Sequence, residues 1–302
     1  MLKSSTVTIA CVLCVGAARE RYLEAALASI ADAVDVLAVN DNSGLVRSEN
    51  RVVLEDSALA ARGALRVAAH PFVDFADMRN RAFAQLRELA KPPDWVLFLD
   101  ADEVHGQQLR YVARKILPRV DLAVGEVDAY TYHFWGTHRW ITDVARRLVF
   151  FRYDPAIVWT GRVHEKALGI GGRALVLPYT YHHYGNVVPP ATLARKHQQY
   201  FALGNKVPRP PQPKEATADV YVAKAREVRP YRGAHPTAVR ATLERLRAEY
   251  GLEFAALDAA LTAARGPHSR ARGGLHAFNE ALRVELRRVQ RPFVYPLPSR
   301  AR

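Results

Sequence analysis

The chain has 302 residues, 49% hydrophobic and 24% charged, a mixture that excludes the disordered and collagen-like classes and suits one large α/β domain or two small ones. The formal net charge is +13, and the longest apolar run, Ile9–Val15, falls far short of the roughly 20 residues a membrane helix needs. Two cysteines, Cys11 and Cys14, exclude a disulfide framework and point to a reducing compartment.

The N-terminus enters a strand pattern without a small-residue cleavage site, so no signal peptide is expected, and the location implied is cytoplasmic, with or without peripheral membrane association. Val7–Val15, nearly all apolar and rich in β-branched residues, predicts a strand buried on both faces of a parallel sheet. Arg19–Ala31 follows at helical spacing, Val34–Val39 reads as a second strand, and Asn40 to Gly44 is a polar turn at its end. A third strand is expected at Leu65–Ala69, a helix at Phe75–Leu89 stopped by Pro92-Pro93, and a fourth strand at Trp95–Leu99. Val127–Ala174, dense in aromatics, reads as short strands and loops, and Leu175–Tyr184 as one more strand. From Pro190 the pattern turns helical, with helices expected at Ala191–Leu203, Ala216–Val228, Pro236–Tyr250, Leu252–Ala264 and Leu275–Val289. The proline-rich stretch around residues 207–213 divides an α/β domain (residues 1–206) from a basic helical region (residues 207–302).

Charge separates the same two parts. Residues 226–302 hold 15 Arg and no Lys against 7 acidic residues, which places +8 of the total there. An anionic partner is implied: a membrane surface, a nucleic acid or a polyanionic substrate. In Gly274–Pro292, apolar positions such as Leu275, Phe278 and Leu282 alternate with Arg283, Arg287 and Arg288. That pattern permits an interfacial helix or one packed on the α/β domain with a basic outer face, and packing is favoured because the apolar positions are spread widely around the helix.

Three short segments carry chemistry. The apolar strand ending at Leu99 delivers Asp100 and Asp102 to one side of its carboxyl end, the edge at which open α/β sheets bind ligands. Two hard oxygen donors there suit Mn²⁺ or Mg²⁺, which in turn binds a diphosphate; the plain alternative is a solvated acidic turn. In Trp159 to Glu165, the position four residues after His164 is Leu168, so a zincin helix is excluded, and Glu165 is read either as a general base in an aromatic setting or as a surface carboxylate. Tyr181-His182-His183-Tyr184-Gly185 ends a strand, and a neutral imidazole there would complete a metal site built on carboxylates. Cys11 and Cys14, three apart on a strand, point to opposite faces and read as core thiols. The chain has neither a Gly-x-Gly-x-x-Gly turn after its first strand nor a P-loop.

In this order the segments resemble the family-2 glycosyltransferases of the GT-A fold, in the branch with Val-His-Glu and His-Tyr-Gly downstream of Asp-x-Asp. The resemblance runs from about Thr6 to Lys206, although Val15-Gly16-Ala17-Ala18 stands where the family has Pro-Thr-Tyr/Phe-Asn. It implies an α/β GT-A fold with a central, mostly parallel sheet and a C-terminal helical appendage. It likens Glu20 to the acidic position after the opening strand, and Asn40 to Ser43 to the turn that holds the nucleotide base and ribose, so that Asp41, Arg79, Asn80 and Asp100 are the implied nucleotide-sugar ligands. It makes Asp100, Asp102 and His183 the metal ligands and Glu165 the base of an inverting transfer. The implied partners are a nucleotide-diphosphate sugar, with UDP favoured, and an acceptor of unknown class: glycan, lipid or protein. An anionic membrane surface is an expected peripheral contact; nucleic acid is not. A nucleotidyltransferase is the alternative enzyme, but Cys11–Arg21 offers one glycine where that chemistry wants a glycine-rich loop. A non-enzymatic basic module that binds nucleic acid or membrane is the third reading. The segment after Pro208 is expected to direct the enzyme without building the donor site.

Overall fold

The computed structural model describes residues 7–205, 210–289 and 294–296, with side chains described as far as residue 265. Strands β1 (Ile9–Val15), β2 (Val36–Asp41), β3 (Leu65–Ala69) and β4 (Trp95–Phe98) run parallel in the order β3-β2-β1-β4. Every residue of β1 is buried because helices cover both faces of the sheet. Ile9, Cys11, Leu13 and Val15 pack with Leu23, Leu27 and Ile30 of helix α1 (Leu23–Ile30). Ala10, Val12 and Cys14 pack with Ala82, Phe83 and Leu86 of the helix at Phe75–Arg87. The two thiols therefore part to opposite faces, both free and buried, and burial pushes the Cys14 thiol up to about 11. Two short helices the sequence pattern does not announce, α2 (Glu49–Glu55) and α3 (Ala58–Ala61), fill the crossover before β3. Each begins at a serine, Ser48 or Ser57, whose hydroxyl accepts a backbone N–H of the first turn. The helix at Phe75–Arg87 is α4, capped by Asp74.

After β4 the sheet turns antiparallel. β5 (Glu103–Val104) and α5 (Gln108–Tyr111) lead to β6 (Val124–Trp135) and β7 (Thr137–Arg152), a hairpin closed at Gly136, whose φ of 73° is left-handed. β7 lies between β4 and β6. The short strands expected over 127–174 are corrected in this stretch: its first half is two strands of 12 and 16 residues. Charged residues such as Arg146 and Arg147 interrupt the apolar pattern because they face an open cleft while Val149, Phe150 and Phe151 enter the core. Short strands do follow, as β8 (Val158–Thr160) and β9 (Lys166–Leu168), paired in a separate two-stranded sheet. β10 (Arg173–His183) returns beside β6, parallel to it.

The rest is largely helical: α6 (Pro190–Ala202), α7 (Asp219–Val222) and α8 (Arg240–Val289), with β11 (Arg229–Pro230) on β7 and β12 (Val294–Pro296) on β10. The helix expected at Ala216–Val228 is only the four residues of α7, and the three expected between Pro236 and Val289 are one, because Gly251 and Gly266 do not interrupt it. The apolar and basic positions of 274–292 lie outside the residues whose side chains are described. Tyr221, Val228, Leu243, Leu246, Phe254, Leu257 and Leu261 share one core with Tyr22, Phe134, Trp135, Trp140 and Tyr184 of the α/β portion. The architecture is mixed α/β, as expected, with a largely helical C-terminal region. No helix among the described residues is long and apolar enough to cross a membrane.

Candidate active site

Asp100 and Asp102 stand in the turn between β4 and β5, at the carboxyl end of the parallel strands. β5 pairs antiparallel with the last residues of β10, Glu103 opposite His183, and the Tyr184 N–H donates to the Asp102 carbonyl at 2.8 Å. This two-residue ladder carries His183 to the acidic turn, where its Nε2 lies 3.2 Å from Asp102 Oδ1. One ligand atom from each of Asp100, Asp102 and His183 falls within 4.8 Å of the others. Two carboxylates and an imidazole form a donor set suited to Mn²⁺ or Mg²⁺. Two further observations fit a bound cation. Asp102 Oδ1 is buried, and among the described residues it faces only His183 Nε2, itself a candidate ligand atom. A Cβ on Gly185 would come within 2.3 Å of Asp102 Oδ2 and 2.9 Å of His183 Nε2, so glycine keeps the space beside the ligand atoms clear.

The electrostatics follow from burial and pairing. Burial opposes the Asp102 charge, but His183 and then Lys196 outweigh it and hold the carboxyl well below the usual range. Burial likewise opposes the charged form of His183, and Asp102 raises it above its ordinary value. Lys196 Nζ sits 4.0 Å from Asp102 Oδ2 and donates to the Gly185 carbonyl at 3.2 Å. Glu103, buried behind the turn, accepts the Asp100 N–H at 3.1 Å, and burial followed by Asp100 pushes it up to about 8. Burial pushes Glu20, on the cleft wall, up to about 7.

Arg79, on α4, ties this group to Glu165. It is buried with its guanidinium carbon 4.5 Å from the centre of the Phe98 ring; Nη2 donates to Asp100 Oδ1 and Nε to Glu165 Oε1 at 3.2 Å. Glu165 lies in the turn between β8 and β9, directly after His164, whose φ of 55° is the one left-handed value at a non-glycine among the described residues. Such strain persists where the surroundings over-determine it. Asn80 supplies part of that constraint: its Oδ1 accepts the Trp159 N–H at 2.8 Å and its Nδ2 donates to the Trp159 carbonyl at 2.9 Å.

Asp100, Asp102, His183, Arg79 and Glu165 open together on a cleft of about 2360 Å³. Single small-molecule sites typically span ~300–1,000 Å³, so the cleft is larger than one such site. Asp41 and Asn80 do not line the cleft. Asp41 is buried, its carboxylate accepting the Ser43 N–H at 2.9 Å and the Ser48 hydroxyl at 3.0 Å, and its neighbour Asn42 faces the cleft instead. Asn80 spends both polar groups on Trp159. The region after residue 208, expected to stand apart from the donor site, contributes Arg245, Leu246 and Glu249 to the lining. The sequence pattern places Gly185 only as the end of the His-Tyr-Gly segment and does not mark Lys196, on α6, as a site residue.

No protein-family model matches the chain, and no curated protein matches it. Among solved structures it is similar to glucosyl-3-phosphoglycerate synthase from Mycobacterium tuberculosis in complex with Mn²⁺ and UDP-glucose, at 22% identity over 41% of this chain and 44% of that one, with a TM-score of 0.29. It is also similar to mannosyl-3-phosphoglycerate synthase from Rubrobacter xylanophilus, at 20% identity over 42% and 41%, with a TM-score of 0.28. A third likeness is to 4-diphosphocytidyl-2C-methyl-D-erythritol synthase from Anaerococcus prevotii DSM 20548, at 15% identity over 49% and 70%, with a TM-score of 0.31. The chain spans less than half the length of the two phosphoglycerate synthases, and likenesses of this degree bear on no residue or activity of this chain.

Proposed function

We propose that this protein is a metal-dependent, inverting glycosyltransferase that moves a sugar from a nucleotide-diphosphate donor to a hydroxyl-bearing acceptor. The observation that carries the reading is the convergence of Asp100, Asp102 and His183 beside a cleft that Glu165 also lines. Asp102 and His183 would hold Mn²⁺ or Mg²⁺, with Asp100 sharing its carboxylate between the ion and Arg79. Such an ion, when bound, neutralises charge building on the departing diphosphate.

The remaining roles belong to the chain's own groups. Lys196, a half-buried ammonium beside Asp102, adds a positive charge next to the donor's diphosphate. Asn42 lines the cleft where the nucleoside would lie, and Asp41 acts behind it by shaping the turn through Ser43 and Ser48. Arg79 orients Glu165 by one oxygen; the carboxylate takes the proton from the acceptor hydroxyl. The acceptor oxygen then bonds to the anomeric carbon from the face opposite the diphosphate, the bond from that carbon to the diphosphate oxygen breaks, and the configuration inverts. The excess of positive charge in residues 226–302 supports an acceptor that is anionic or is presented at an anionic surface.

The test is thermal stabilisation by UDP or GDP with and without Mn²⁺. The native chain should gain stability from nucleotide plus Mn²⁺, and Asp102→Ala should fold normally but lose that gain. A native chain indifferent to both nucleotides in the presence of Mn²⁺, or an Asp102→Ala chain stabilised as the native one is, would remove the assignment.

A further inference from the structure

His133 and His183 are register neighbours across the parallel pair β6–β10, with ring centres 4.8 Å apart and planes at 63°. Their Nδ1 atoms approach to 3.1 Å. At that distance one nitrogen carries a hydrogen and donates it, while the other accepts with its lone pair. The opposite nitrogen of His183, Nε2, faces Asp102 Oδ1 at 3.2 Å, and a ring nitrogen of His183 falls within 4.8 Å of ligand atoms of Asp100 and Asp102.

These two contacts are not independent. A ring nitrogen that binds a cation offers a lone pair, so in the ligating tautomer the hydrogen of His183 is on Nδ1. That hydrogen needs an acceptor, and no other hydrogen bond involves Nδ1 of His183 among the described residues. In the reverse tautomer His133 donates, the hydrogen of His183 moves to Nε2 and points at Asp102, and the imidazole no longer ligates. We infer that His133 is the positioning residue of the cation site, accepting the Nδ1–H of His183 and so holding Nε2 as a ligand. The inference rests on the metal reading above and adds a residue to it. Metal-bound imidazoles are commonly fixed in this way through their second nitrogen, and loss of such a partner costs about 10–100-fold in metal affinity.

The experiment follows Mn²⁺ binding to the full chain, in the presence of UDP, by the electron paramagnetic resonance signal of the free ion. His133→Phe keeps a ring but has no acceptor, and should weaken Mn²⁺ binding about 10–100-fold while the melting temperature without metal stays put. His133→Asn, whose Oδ1 can stand where Nδ1 stood, should recover most of the loss. Native affinity in His133→Phe, or a His133→Asn chain as weak as it, overturns the inference. If His133→Phe does not fold, the ¹⁵N shifts of His183 in the native chain with Mg²⁺ decide: a protonated Nδ1 supports the inference and an unprotonated one overturns it. A native chain that binds no Mn²⁺, or binds it equally after Asp102→Ala, removes the metal reading itself. Binding that needs Asp102 and ignores His133→Phe removes only this inference.

Discussion

At the scale of single residues, Arg79 sets the distance between two kinds of chemistry. One guanidinium donates to Asp100 and to Glu165, so the proposed base and the acidic turn are held by a common rigid fork. Glu165→Gln keeps an acceptor for Arg79 Nε and removes the proton-accepting charge. It should leave the affinity for UDP with Mn²⁺ near native and lower the transfer rate by ~10²–10⁴-fold. Turnover at the native rate in that variant would leave Glu165 as no more than an anchor for Arg79.

At the scale of elements, the paired strands β8 and β9 form a small unit outside the main sheet, and α4 holds it in place. Asn80 clamps Trp159 by two hydrogen bonds, and the Phe75 N–H donates to the Arg162 carbonyl at 3.3 Å. Asn80→Ala should therefore leave the affinity for UDP with Mn²⁺ largely intact and lower the transfer rate, since Glu165 rides on the loosened turn. Steady-state kinetics beside nucleotide titrations separate the two, and a variant that loses nucleotide affinity while its rate at saturation holds would return Asn80 to the nucleotide. Asn80 also shows how far the sequence was legible. Its place on a helix was evident from the spacing of Phe75–Leu89, but its partner lies 79 positions along the chain and no local pattern names it. Strands β1, β2 and β4 could be read within a residue or two because burial on both faces leaves a nearly continuous apolar run. The β6–β7 hairpin could not, because one of its faces is core and the other is cleft. Asp100 and Asp102 announced themselves at a strand end, whereas the pairing of β5 with β10 that delivers His183 is a matter of long-range register.

At the scale of the whole molecule, residues of the stretch 210–265 are part of the core. Tyr221, Leu243, Leu246, Phe254, Leu257 and Leu261 are buried against Phe134, Trp135, Trp140 and Tyr184. Each large side chain buried contributes ~1.5–3 kcal/mol, so losing several removes a large share of the ~5–15 kcal/mol by which a domain is stable. Ion pairs join the same surfaces, Arg21 with Glu249 and Arg245 with Glu24, each at 3.2 Å. A chain ending at residue 207 should show no cooperative thermal transition, should bind a hydrophobic dye, and should gain nothing from UDP and Mn²⁺. A truncated chain that melts cooperatively and still responds to nucleotide would restore the separable appendage that composition alone suggests.

That shared core also has a consequence for the order in which the molecule forms. Tyr22 and Leu261 belong to one buried cluster, and the Arg21–Glu249 contact closes a span of 228 residues. During synthesis the parallel strands β1 to β4 can pair early, but Trp135 and Trp140, at the turn end of the β6–β7 hairpin, stay uncovered until α7 and α8 have emerged. Contacts of such long sequence separation form slowly, because the entropy of closing the intervening loop is lost before any packing is gained. A nascent chain therefore passes through a stage with its acidic turn in place and an apolar flank exposed, the stage at which aggregation competes with folding and a chaperone has something to hold.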